Sequence, residues 1–186
     1  EVHLVGPNRD LHSGIYGGAV DNPAMVLCQL LASMRGANGK IKVPGFYDDV
    51  ESLSRFEREQ LGRYPETESS LKRQLGVREL FGEKGFSAVE QRAARPTLEI
   101  NGLTSGYQGE GSKTIVPSQA SAKITCRLVP NQKPDHVLKV IKKYLIAHCP
   151  KSVKLTFEPG HAGEAYMVSP DGPQAQAAIR ALTSAF

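Results

Sequence analysis

At 186 residues, with 40% hydrophobic and 23% charged side chains, the chain has the size and composition of one globular domain, which excludes disordered and fibrous proteins. The formal net charge of +4 comes from 23 Lys and Arg scattered among 19 acidic residues, so it licenses weak anion attraction and no nucleic-acid partner. The longest apolar run, Ala24 to Met34, is interrupted by Gln29 and Ser33 and falls short of the ~20 residues of a membrane span, so no membrane partner is expected. Cys28, Cys126 and Cys149 form no C-x-x-C pair, which points away from a disulfide framework or zinc ribbon and toward a reducing, cytoplasmic setting. The sequence opens at Glu1 without an initiator methionine or signal core, and is expected to be a piece of a longer protein.

Val2 to Val5 reads as a strand that ends at Gly6-Pro7, followed by a polar, glycine-rich loop over 8–18. Asp21 or Asn22 can cap the next helix, Pro23 suits its first turn, and Val26, Leu27, Leu30, Leu31 and Met34 form one apolar stripe before Gly36. Residues 41–94 crowd Asp48, Asp49, Glu51, Arg55, Glu57, Arg58, Glu59 and Arg63 among short helical periods broken by Pro44, Pro65, Gly76 and Gly82, the texture of a helical insertion. Leu98 and Ile100 then alternate with Thr97, Glu99 and Asn101 in a second strand. Next, Ala120, Ala122, Ile124, Cys126 and Leu128 share one face of a third strand whose other face is polar. A helix over 134–148 turns Val137, Leu138, Ile141 and Leu145 inward, and Val153, Leu155 and Phe157 alternate in a last strand. Strand, helix, strand, strand, helix, strand is the order of an α+β, ferredoxin-like split βαβ fold: a four-stranded antiparallel sheet with both helices on one face. A further helical piece over 174–186, with Ala178, Ile179, Leu182 and Ala185, finds no strand of this unit to cover and reads as the start of another domain.

Several loops carry groups capable of chemistry. His12 lies in Arg9-Asp-Leu-His-Ser-Gly14, where small neighbours leave an imidazole accessible; the plainer alternative is a surface histidine oriented by Asp10. The segment Gly109-Glu-Gly-Ser-Lys-Thr114 resembles a phosphate-binding loop only superficially, because Ser112 separates Lys113 from the glycine and Thr114 to Val116 leads into a strand where that loop needs a helix. What remains is a donor-rich loop ending in Thr114, able to bond a carbonyl or carboxylate. Arg127, on the polar strand face, suits bidentate carboxylate recognition, with a cross-strand ion pair as its structural alternative. His161, in Gly160-His-Ala-Gly163, is another accessible imidazole, whereas His3, His136 and His148 read as structural. No H-x-D or H-E-x-x-H spacing, nucleophile elbow or Cys–His pair occurs, so recognition groups are present without a reaction centre.

Taken together, Arg9-Asp-Leu-His12-Ser-Gly14, Gly17-Gly18 to Asn22-Pro23, Gly111-Ser-Lys-Thr114-Ile-Val-Pro117, Ala120 to Pro130 and Gly160-His161 resemble one family across nearly the full chain. It is the dimerisation, or lid, domain of the dinuclear zinc metallopeptidases: carnosinase-type cytosolic dipeptidases, aminoacylase, acetylornithine deacetylase and succinyl-diaminopimelate desuccinylase. The Asp-Leu-His-Ser-Gly form and the long insertion resemble the dipeptidase branch most. The resemblance implies a lid domain over 1–170, with 41–94 as an insertion and 171–186 returning to a catalytic domain that holds two zinc ions outside this chain. It also implies a homodimer acting on a dipeptide or N-acyl amino acid, with His12 stabilising the oxyanion in the partner's site, Thr114 and Arg127 binding the substrate's carboxyl end, and His161 lining the pocket. Such a chain is inactive alone. The competing expectation is a stand-alone ferredoxin-like regulatory module that binds an amino acid at a dimer interface.

Overall fold

The computed structural model describes residues 1–169 and 171–185, so the domain boundary expected at 170 and the last residue, Phe186, lie outside the described residues. A four-stranded antiparallel sheet runs β3 (Thr97–Ser105), β5 (Gln119–Arg127), β1 (Val2–Val5), β6 (Lys154–Phe157). In register, Val2 faces Ala122 on one side and Phe157 on the other, and Leu4 faces Ala120 and Leu155. The helices α2 (Pro23–Ser33) and α6 (Pro134–His148) cover one face of this sheet, the α+β, ferredoxin-like arrangement expected from the element order.

Local chemistry explains where α2 starts. Asn22 accepts a hydrogen bond from the Ala24 amide at 2.9 Å, and Pro23 occupies the first turn, where its missing N–H costs nothing. Val26, Leu27, Leu30 and Leu31 are buried on β1 and β5, with Met34 just past the helix, and each such side chain stabilises the fold by about 1.5–3 kcal/mol relative to exposure. Val137, Ile141 and Leu145 do the same from α6, while Leu138, expected beside them, is half-buried over an open cavity at one end of the sheet.

The second strand departs from simple alternation. A bulge between Ile100 and Gly102 shifts the register, so Ile100 faces Ile124 before it and Leu103 faces Ala122 after it. Leu98 is buried as expected, but Ile100, two residues further along this edge strand, is 46% exposed.

The charged segment after α2 holds three short helices, α3 (Arg55–Gly62), α4 (Glu68–Leu75) and α5 (Ala88–Ala94). Each begins with a reciprocal cap, Ser54 with Glu57, Thr67 with Ser70, and Ser87 with Glu90. The first part of the segment is not separate from the domain: Ile41, Val43 and Phe46 belong to the main core. Arg95 and Glu83, both nearly buried, form an ion pair at 2.9 Å, with the guanidinium 4.4 Å from the centre of the Phe86 ring and 5.2 Å from that of Tyr47. The helix α7 (Pro173–Ala185) exposes Ala178, Ile179, Leu182 and Ala185. No helix among the described residues is long and apolar enough to cross a membrane.

Candidate functional site

The glycine-rich loop after β1 is not free. Its strand β2 (Leu11–His12) pairs antiparallel with β4 (Ile115–Val116), forming a second, two-stranded sheet that periodicity could not reveal in elements two residues long. The Ser13 amide donates to the Thr114 carbonyl at 3.0 Å, so His12 and Thr114 sit on neighbouring segments. A single turn, α1 (Ser13–Tyr16), follows, and the Gly14 amide donates to His12 Nδ1 at 3.0 Å. Asp10 does not bond the imidazole. Its carboxylate accepts from both the Ser118 amide and the Ser118 hydroxyl, each at 2.9 Å, and these bonds, amide first, hold its pKa below the ordinary aspartate value. The short strand after Thr114, with no helix, removes the phosphate-loop reading.

Arg127 is the last residue of β5, facing Thr97 of β3, and its backbone amide is 3.4 Å from the Thr97 hydroxyl. Among the described residues no carboxylate pairs with its guanidinium, contrary to the cross-strand ion pair that is the alternative for a strand arginine. Arg127 and His161 both line a cavity of about 530 Å³ between the end of β5, the start of α6 and the segment after β6. Cys126 also lines it, but burial first, and Glu99 second, push its thiol up to about 12, so it stays a thiol and cannot serve as a nucleophile near neutral pH.

The four candidate residues thus fall into two pairs. His12 and Thr114 sit beyond the end of β1, where Val5 faces Gln119 at the start of β5. Arg127 and His161 sit at the other end of the sheet. The nine residues of β5 put roughly 26 Å between these ends, at about 3.3 Å per residue.

Metal donors converge in threes at one place among the described residues, where the ligand atoms of Glu1, His3 and Glu158 lie within 4.8 Å of one another. Pairing of β1 with β6 creates this cluster, and a search by sequence spacing misses it. His3 Nε2 lies 3.3 Å from Glu1 and 3.7 Å from Glu158, while Lys123 Nζ lies 3.7 Å from Glu1. One imidazole and two carboxylates, one already against a lysine, do not supply the ligands of a two-metal centre.

A family model described as the peptidase dimerisation domain matches residues 1–153. The chain belongs to that family. It is 29% identical over 173 residues to the Cys-Gly metallodipeptidase of Schizosaccharomyces pombe, covering 91% of this chain and 36% of the relative. It is 28% identical over 141 residues to the human Beta-Ala-His dipeptidase, covering 74% and 27%. Among solved structures, an M20-family metallo-carboxypeptidase from Sulfolobus solfataricus superimposes with a TM-score of 0.80 at 31% identity, covering 98% of this chain and 48% of that one. Human carnosine dipeptidase 1 gives 0.82 at 26% identity, covering 100% and 40%. The chain therefore spans between a quarter and a half of the length of these proteins, and it is a peptidase dimerisation domain.

Proposed function

We propose that this dimerisation domain forms half of a shared active site in a zinc-dependent dipeptidase, and that each substrate is held by recognition groups from two copies of the chain. The observation that carries the reading is the separation of the candidate residues. A dipeptide spans about 7 Å when extended, so it cannot touch both ends of a sheet whose β5 alone covers roughly 26 Å. A homodimer resolves this: His12 and Thr114 of one copy face Arg127 and His161 of the other. Thr114 belongs with His12, because the Ser13 amide binds the Thr114 carbonyl.

In this reading the His12 ring donates from Nε2 to the oxygen that gains negative charge as the peptide bond is attacked, a stabilisation that grows toward the transition state. The Thr114 hydroxyl and the unpaired Arg127 guanidinium bind the substrate's carboxylate end from opposite walls, and His161 closes the Arg127 side of the pocket. The two zinc ions and the general base lie in the remainder of the protein, so the chain is inactive by itself. Residues 171–186, with the bare stripe of α7, return to that catalytic part, and 1–170 is the lid. The substrate is a dipeptide or N-acyl amino acid, and the enzyme works in the cytoplasm. The family and the dipeptidase relatives support the hydrolase part of this reading.

His12→Ala in the full-length protein should lower turnover of Cys-Gly by roughly 100-fold to 1,000-fold, the effect of losing one oxyanion donor. Steady-state kinetics that return wild-type turnover would remove His12 from the reaction and the reading with it.

A further inference from the structure

We infer that Asp10 and Gly14 are positioning residues for His12: Asp10 staples the loop to Ser118, and the Gly14 amide fixes the imidazole as the tautomer that carries its proton on Nε2. The inference rests on the shared-site reading for its catalytic consequence, but its geometry stands independently.

A histidine on a glycine-rich loop would ordinarily sample many orientations, and several ties prevent this here. The Gly6 amide donates to the Ser118 carbonyl at 2.9 Å, where the loop leaves β1. Four residues on, Asp10 accepts two hydrogen bonds from Ser118. The β2–β4 pairing and the Ser13–Thr114 bond follow immediately. The segment carrying His12 is therefore laced to residues 114–118 from both sides of the histidine. The depressed pKa of Asp10 means that the staple is complete above the ordinary aspartate range and is lost only as pH falls through its lower folded value.

The ring itself is held by Gly14. A nitrogen that accepts a hydrogen bond from an amide carries no proton, so His12 Nδ1 is the acceptor and Nε2 bears the N–H, unpaired among the described residues. Glycine is needed for space. A Cβ at position 14 would lie 2.9 Å from His12 Cε1, closer than such atoms approach, and 3.2 Å from Nδ1, so the ring would have to move. Gly14 sits in the α1 turn with an ordinary backbone conformation, so Gly14→Ala keeps the amide donor and pushes only the ring. Displacing a catalytic group by even an ångström costs on the order of 100-fold in rate.

Two readouts on the full-length protein test this. In the ¹⁵N spectrum of the histidine rings, His12 should show an unprotonated Nδ1 and a protonated Nε2; the opposite pattern overturns the tautomer assignment whatever the activity. In kinetics with Cys-Gly, Gly14→Ala should lower kcat about 10-fold to 100-fold with KM little changed, and should have no further effect in a His12→Ala background. Asp10→Ala should act in the same direction, and Asp10→Asn, which keeps an acceptor for Ser118, should restore most of the loss. A Gly14→Ala effect that persists undiminished without His12 would make position 14 merely structural and overturn the inference. Failure of His12→Ala alone to slow the enzyme, with the ring tautomer as described, would instead count against the parent reading.

Discussion

Arg127 owes its availability to position. It ends β5 on the polar face, where its partner across the ladder is Thr97 and not an acid, so its five donors are left for a ligand. A guanidinium that pairs with a substrate carboxylate contributes mainly to binding, and Arg127→Ala in the full-length protein should raise KM for Cys-Gly roughly 10-fold to 100-fold, as expected for a lost charge-assisted bond. Arg127→Lys should recover only part, because a point charge cannot reproduce the bidentate fork. Equal KM values for all three proteins, measured by initial rates, would return Arg127 to a structural role. His12 and His161 were readable in the sequence as imidazoles among small neighbours, Thr114 as the end of a donor-rich loop, and Arg127 as a guanidinium on a polar strand face. What held His12 in place was not: Asp10 looked like the partner of His12 two positions on, yet its hydrogen bonds go to Ser118, more than a hundred residues away.

At the scale of elements, hydrophobic period located the four strands of the main sheet, α2 and α6, because each is long enough to repeat its pattern on a buried face. It failed where pattern has no length to act. The β2–β4 sheet is made of two-residue strands, and the bulge in β3 shifts the register, so Leu103 takes the place opposite Ala122 that strict alternation would deny it. The charged segment was recognisable as helical by texture, but the ion pair that braces its end was not, since Glu83 and Arg95 meet only in the fold, between Tyr47 and Phe86. Removing one partner from such a pair leaves a nearly buried charge alone. Glu83→Leu should therefore destabilise the protein by about 3–5 kcal/mol, whereas Glu83→Leu combined with Arg95→Met should cost much less. Urea unfolding of the two variants measures the difference, and similar losses in both would mean that packing, not charge, secures the segment.

For the whole molecule, the decisive fact is that an extended strand turns nearness in sequence into distance in space. The sequence placed Thr114 and Arg127 only thirteen positions apart, but the strand between them carries them to opposite ends of the sheet. The direction of β5 held that information, although motif spacing alone does not express it. If each site draws His12 from one copy and Arg127 from the other, a dimer of one His12→Ala chain and one Arg127→Ala chain concentrates both lesions in a single site and leaves its second site intact. Assayed at substrate well below the wild-type KM, where both homodimers are slow, the two mixed in equal amounts and allowed to exchange subunits should then regain about one quarter of the wild-type rate, because half the dimers are mixed and each has one whole site of two. If a single copy supplied both residues, every site in the mixture would carry one lesion and no activity would return. Rate measurements on the mixture before and after exchange, with size-exclusion chromatography to follow the dimer, separate these outcomes without needing the geometry of the partner in advance.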